Sequence, residues 1–446
     1  MENTNNVDNK YSEVFNDILN TPPCNKNIIS IIIKAKKTCC EPTWPRIALI
    51  LQSIISQNKP LLKKECYKGL PDDLPSLRAL VWKINLRYLP SDISKWEKQL
   101  SKKRKEYIDI KNALALRLKA EIEIFQEIET IKSNESCNEN DKNNLELLSK
   151  NTDRILLETI NKDVNRTHMT FAFFSKPTNS EILLSKEEAD KIFFRKRNCT
   201  YSDFKQVYMK GENEIEERDN ILKKETHADV LERILYIYSK LNKDVSYVQG
   251  MNELLAPIYY CYSMDNSLDD LDNEVKCNYV EADSFWCFSL LMNDIKSTFI
   301  TSKDNDKDGI FAKMLTLDKI IEKLDKNVHK LLKDKQIEIE HFAFRWINLL
   351  FGQEFIMPDL LRLWDTFFSE KDKFYIVYCF AIALIKYKKK DILKMEQYEI
   401  IKELQNCESI NIESVIELMM KIKKDKDKKI LHIINSTEEF KKEQRK

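Results

Sequence analysis

Only five of the 446 residues are glycine, about 1% where soluble proteins average about 7%. Glycine takes positive φ without steric cost, so tight hairpins, bulged strands and glycine-rich loops are hard to build from this chain. Neither G-x-G-x-x-G nor G-x-x-x-x-G-K-[ST] occurs. A dinucleotide cradle and a P-loop are therefore absent as written, and any nucleotide chemistry must use a nucleotide held by a partner. With few prolines and abundant Lys, Glu, Leu and Ile, the composition points to an all-α protein with short connections.

Charge and cysteine narrow the class further. The 73 basic and 72 acidic side chains leave a formal charge of +1, so no net field draws the chain to nucleic acid or to an anionic membrane. Eleven cysteines are scattered without a C-x-x-C, and none is spaced with the five histidines for zinc. Their odd number and the polar opening Met1-Glu-Asn-Thr-Asn-Asn suit reduced thiols in a cytoplasmic protein. The longest apolar run, Phe374 to Ile385, is shorter than the roughly 20 residues of a membrane helix and reads as a buried core helix.

Apolar spacing of three and four predicts helices around Val14 to Leu19, from Asn27, after Pro45, from Leu77 to Tyr88 and from Ser101 to Ile131. The last would bury Ile110, Leu114, Leu118, Ile122, Phe125 and Ile128. Residues 133–144 are Asn- and Glu-rich and read as a flexible loop, and 175–225 are polar and irregular, a variable insertion. Helical spacing also marks Ile155 to Arg166, His227 to Leu241, Ser284 to Phe299, His341 to Phe351 and Asp359 to Phe368. The Lys-rich tail from Lys421 reads as a solvated helix end. Asp304 to Gly309 opens like a calcium loop, but Leu315 stands where the twelfth-position Glu is needed, so it reads as a hydrophilic loop before a helix.

Two short segments carry chemistry. In Ile160-Asn-Lys-Asp163-Val-Asn-Arg166-Thr167, Asp163 and Arg166 share a helical face, so the carboxylate can restrain the guanidinium. Arginine is scarce, 14 against 59 lysines, which draws attention to planar, bidentate chemistry at the positions that keep it. In Tyr247-Val-Gln249-Gly250-Met-Asn252, Gln249 offers an amide donor and acceptor, and Gly250 removes a side chain where another surface can approach closely. Taken singly, the first segment is also an ordinary helix-end ion pair, and the second a helix-start turn.

Together, in this order, they resemble the TBC-domain family, the Rab GTPase-activating proteins, whose signatures are I-x-x-D-x-x-R and Y-x-Q-G. Gly69-Leu-Pro71, Arg78 to Trp82, Arg345-Trp346 and Leu363-Trp364-Asp365 are similar to that family's other blocks. His341 to Trp346, Gln353-Glu-Phe and Tyr247 to Pro257 resemble its member-thirteen type. His168-Met169 and the two polar stretches depart from the usual pattern, which bears on partner choice.

The resemblance implies two helical subdomains with a groove between them. The family domain would occupy 66–390, with N-terminal flanking helices at 1–65 and C-terminal helices with a Lys-rich tail at 391–446. It implies a GTPase activator with no cofactor of its own, the Mg-GTP being carried by a Rab-type GTPase in its GTP form. Arg166 and Gln249 would act in trans as an arginine and a glutamine finger. Asp163 would hold Arg166 ready, with Ile160, Thr167, Tyr247, Gly250 and Asn252 supporting the site or shaping the surface that receives the partner. Trp82, Trp346 and Trp364 read as core. Membrane contact would be indirect, through the Rab on endomembranes. The other readings are a catalytically silent Rab-binding scaffold of the same shape and a plain helical adaptor.

Overall fold

The structure, a computed structural model, describes residues 25–133, 152–170, 172–178, 225–300, 309–407 and 409–443, with Phe15 and Ile18. Among these residues the only β pairing is the isolated bridge between Pro177 and Thr226. The helices are α1 (Lys26–Thr38), α2 (Trp44–Ile55), α3 (Lys59–Tyr67), α4 (Pro75–Asn85), α5 (Trp96–Ser133), α6 (Thr152–Thr170), α7 (His227–Leu241) and α8 (Met251–Ser263). There follow α9 (Asn273–Ile295), α10 (Ile310–Leu324), α11 (Lys326–Asp334), α12 (Glu340–Asn348), α13 (Met357–Ser369), α14 (Lys373–Ile392), α15 (Gln397–Gln405) and α16 (Ile412–Glu443). Prolines open α2, α3, α4 and α13, where a missing N–H costs nothing. Of the expected helix at Val14 to Leu19 only Phe15 and Ile18 are described, both helical and buried, and the calcium-like run at 304–308 and nearly all of the two polar stretches lie outside the described residues.

The chain forms two units. One comprises Met1–Leu100, Tyr260–Leu268 and Trp286–Lys446, and the other Ser101–Tyr259 and Asp269–Phe285. In the first, α14 is buried without a break from Lys373 to Ile385, as the apolar run requires. Trp82, Trp346 and Trp364 are fully buried core residues, Trp82 meeting Phe368 edge-on at 4.8 Å and Trp346 stacking on Phe351 at 5.1 Å.

The blocks that lie far apart in sequence meet in this unit at one carboxylate. Asp365, fully buried, accepts from Leu70 N at 2.8 Å, Arg78 Nε at 3.1 Å and Trp82 Nε1 at 2.8 Å, while Arg78 Nη2 also donates to Leu70 O at 3.0 Å. Gly69, at φ 78°, makes the turn into this knot, and a Cβ there would run into the side chain of Arg362. These residues lock helices α4 and α13 together.

The tail is not merely solvated. α16 buries Ile422, Ile430 and Ile433, and Lys423 reaches Glu370 and, at 2.8 Å, Tyr67 Oη. Lysines surround these three isoleucines in sequence and masked them.

In the second unit buried polar groups join the apolar packing. Glu281 is 2% exposed and accepts from Arg233 Nε at 2.7 Å, Arg233 Nη2 at 2.8 Å, Tyr107 Oη at 2.7 Å and Lys111 Nζ at 3.2 Å. Arg104 forks onto Asp283 at 3.0 and 2.8 Å. This corrects two expectations. The described buried line of α5 runs through Tyr107 and Lys111, with Ile110 and Leu114 only half-buried, and the side chains expected inside at Leu118, Ile122, Phe125 and Ile128 lie outside those described. α9 begins at Asn273 rather than Ser284, because Glu281 and Asp283 hold its first half through ion pairs that leave no apolar period to read.

Burial alone would raise the Glu281 pKa, but Arg233 and Lys111 outweigh it and hold the carboxyl down to about 2, from 4.5. His227 is pushed the same way, from 6.5 to about 4, by burial and then by Lys176. Both folded values lie below the unfolded ones, so both contributions are present at neutral pH and are lost on acidification. The part of the urea midpoint that depends on His227, read as wild type minus His227→Phe, is expected to be level above pH 6.5. That difference falls between pH 6.5 and about 4 as His227 protonates in the unfolded chain, and the Glu281 contribution is lost between 4.5 and about 2, each on the order of 3 kcal/mol. His227→Phe should leave the Glu281 limb in place.

Candidate functional site

Helix α6 supplies one half of the site. Leu157, Ile160 and Val164 recur at three and four and are buried, and Asn161 Nδ2 ties the helix to α7 through Glu232 Oε1 at 2.7 Å. That packing fixes which face looks outward. Asp163 lies at the margin, 2% exposed, and the guanidinium of Arg166, one turn on and 60% exposed, pairs with its Oδ1.

The other half is the turn that leads into α8. Ser246 stands at φ 54° and Gly250 at φ 97°, two left-handed backbone angles in the turn before Met251 starts the helix. Tyr247 Oη donates to Asp163 Oδ2 at 2.8 Å, and Gly250 N lies 3.4 Å from the same oxygen. Asp163 therefore takes Arg166 on one oxygen and the Tyr247–Gly250 turn on the other. Burial, and then the charge of Glu253, raises the Tyr247 pKa against the opposing pull of Arg166, so the hydroxyl stays protonated and donates. Gln249, beside Gly250, is exposed.

Asn252 fastens the helices behind this turn. Its Nδ2 lies 2.6 Å from Thr167 Oγ1, 3.1 Å from Glu253 Oε1 and 3.3 Å from Asp163 O. Thr167 and Asn252 are 4% and 2% exposed, so both face inward and neither presents a surface. Gly250 is buried too. Its φ requires glycine, a different reason from the open approach expected of it. Glu253 escaped the sequence reading, although its place in the first turn of α8, where an acid suits the helix dipole, is a signal that sequence offers.

Arg166 and Gln249 thus belong to segments joined through a single carboxylate, a cation and an amide shown to solvent on a rigid base. The Rab-GTPase-TBC domain family matches residues 179–393, a span that takes in Gln249 and begins after Arg166. TBC1 domain family member 13 of mouse and of human are each 32% identical over 350 residues, covering 73% of this chain and 84% of the relative. The chain belongs to the TBC domain family.

The crystal structure of the Ypt/Rab-GAP domain of Gyp1p superposes with a TM-score of 0.54 at 21% identity, over 83% of this chain and 96% of that one. The all-α TBC fold is therefore shared well beyond the sequence likeness. Within this TBC domain, Gly69, Leu70, Arg78, Trp82 and Asp365 build the lock in the first unit, while Asp163, Arg166, Tyr247, Gln249 and Asn252 build the site in the second. No helix of the described residues is long and apolar enough to cross a membrane.

Proposed function

We propose that this chain accelerates GTP hydrolysis by a Rab-type small GTPase in its GTP form, with Arg166 and Gln249 as the groups supplied in trans. Hydrolysis on such a partner needs positive charge on the γ-phosphate oxygens as the transition state forms, and a water held in line. The partner carries the Mg-GTP. Arg166 Nη atoms meet the developing charge, and the Gln249 amide orients the water, accepting from it through its oxygen and donating to a phosphate oxygen through its nitrogen.

The observation that carries this reading is the shared carboxylate. Asp163 Oδ1 holds Arg166, and Asp163 Oδ2 receives Tyr247 Oη at 2.8 Å, so the two segments are set before a partner arrives. Ordering a long side chain on docking costs about 0.5–1.5 kcal/mol, and Asp163 meets part of that cost in the free protein. Ile160 anchors the helix beneath, and Thr167 and Asn252 keep α6 and α8 in register.

The test uses a GTPase whose own water-orienting glutamine is replaced by alanine. In single-turnover hydrolysis the wild-type chain is expected to accelerate this GTPase nearly as well as the intact one, because Gln249 does that work. Gln249→Ala should lose about 10²-fold or more on both, the cost of a misplaced reactant. Full activity of Gln249→Ala on the intact GTPase would remove the glutamine from the mechanism.

A further inference from the structure

The exposed side of α6 does not end at Arg166. Ile155, Thr159, Lys162 and Arg166 follow one another at four, three and four residues and are all exposed, so they form one stripe along the helix. Ile155 is 59% exposed, the reverse of what the hydrophobic effect asks of an isoleucine. α7 runs antiparallel to α6, since His227 N donates to Lys176 O at 3.1 Å beyond one end and Asn161 meets Glu232 along the way. The far end of α7 therefore lies toward Ile155. There Leu241 is 51% exposed. From Leu241 the chain turns back toward the middle of α6, until Tyr247 reaches Asp163. The stripe ends at Arg166 and the segment that Leu241 opens ends at Gln249, so the two meet at the candidate site and offer it one adjoining face.

We propose that this face is the docking surface for the GTPase itself, with Ile155 and Leu241 covering an apolar patch on the partner. The inference rests on the reading of Arg166 given above. A stable interface buries about 800 Å² per partner, far more than two fingers offer, so the contact must spread over surface continuous with them. Eleven residues of helix separate Ile155 from Arg166 by about 16 Å, comparable with the radius of gyration of a domain of 150–200 residues, about 15–16 Å. A partner with its γ-phosphate on Arg166 spans that distance. Contacts so far from the reacting atoms are equally strong in the ground and transition states. They set how tightly the GTPase binds and leave the rate at saturation alone.

The test titrates a responsive GTPase against the chain in single-turnover hydrolysis. Ile155→Asp and Leu241→Asp should each raise the half-saturating concentration about ten-fold or more, the effect of losing an apolar anchor, while the saturated rate stays within about two-fold of wild type. Ile33→Asp, at a 46% exposed isoleucine of the other unit, should change neither. Binding to the same GTPase loaded with a non-hydrolysable GTP analogue should weaken by the same factors.

Unchanged half-saturation in both variants, beside loss of activity in Arg166→Ala, overturns the docking face and leaves the catalytic reading standing. Should Arg166→Ala prove fully active, the catalytic reading falls, and the analogue-binding titration still decides the face. If no GTPase of a Rab panel binds, both fall.

Discussion

Arg166→Ala is expected to lower the stimulated rate of GTP hydrolysis by about 10³- to 10⁵-fold, equivalent to roughly 4–7 kcal/mol of barrier. The loss should appear in the rate at saturating GTPase, because in the proposed role the guanidinium meets charge that exists only as the transition state forms. Folding should change little. Arg166 is 60% exposed, and Asp163 keeps the Tyr247 hydroxyl after the arginine is gone. Arg166→Lys should recover only a small part of the rate, since an ammonium cannot present the planar fork that spans two phosphate oxygens. A pre-steady-state assay with the chain in excess measures all three proteins. An alanine variant within a few-fold of wild type would mean that Arg166 is not the finger.

The largest effect on stability is expected at Asp365, where the lock of the first unit closes. Asp365→Ala removes the acceptor of Leu70 N, Trp82 Nε1 and Arg78 Nε together. It leaves the Arg78 guanidinium, 7% exposed, with the outer carboxylate of Asp72 at 2.7 Å as its remaining counter-charge. Breaking a buried pair by removing one partner costs about 3–5 kcal/mol, which equilibrium urea unfolding resolves as a lower midpoint. The double variant Arg78→Met/Asp365→Leu should regain much of that loss, because the penalty lies in the stranded cation rather than in the absent attraction. A double variant no better than Asp365→Ala would show that the hydrogen bonds to Leu70 and Trp82 carry the stability instead.

How far sequence reached depended on where each element hides its reason for existing. Helix α7 was readable to the residue, His227–Leu241, because its apolar residues recur at three and four. α14 was readable because nothing polar interrupts its core run. The first half of α9 and the buried line of α5 were not, because Glu281, Asp283, Tyr107 and Lys111 look like surface residues until their partners, up to 179 positions away, are known.

The same distinction holds at the site. The two segments and the Asp163–Arg166 pairing could be named from spacing and family resemblance. Helical spacing could not say that Thr167 and Asn252 turn inward onto each other across 85 positions, that Gly250 answers to a backbone angle, or that Glu253 joins them.

On the proposed function this TBC domain hastens hydrolysis rather than merely holding a GTPase. The direct measurement is single-turnover GTP hydrolysis across a panel of Rab proteins, with the chain in excess and binding to each GTP-loaded Rab followed in parallel. At least one Rab should be accelerated by about 10³-fold or more, and it should be among those bound. Tight binding of a GTP-loaded Rab with hydrolysis left at its intrinsic rate would contradict the account and make the chain a scaffold.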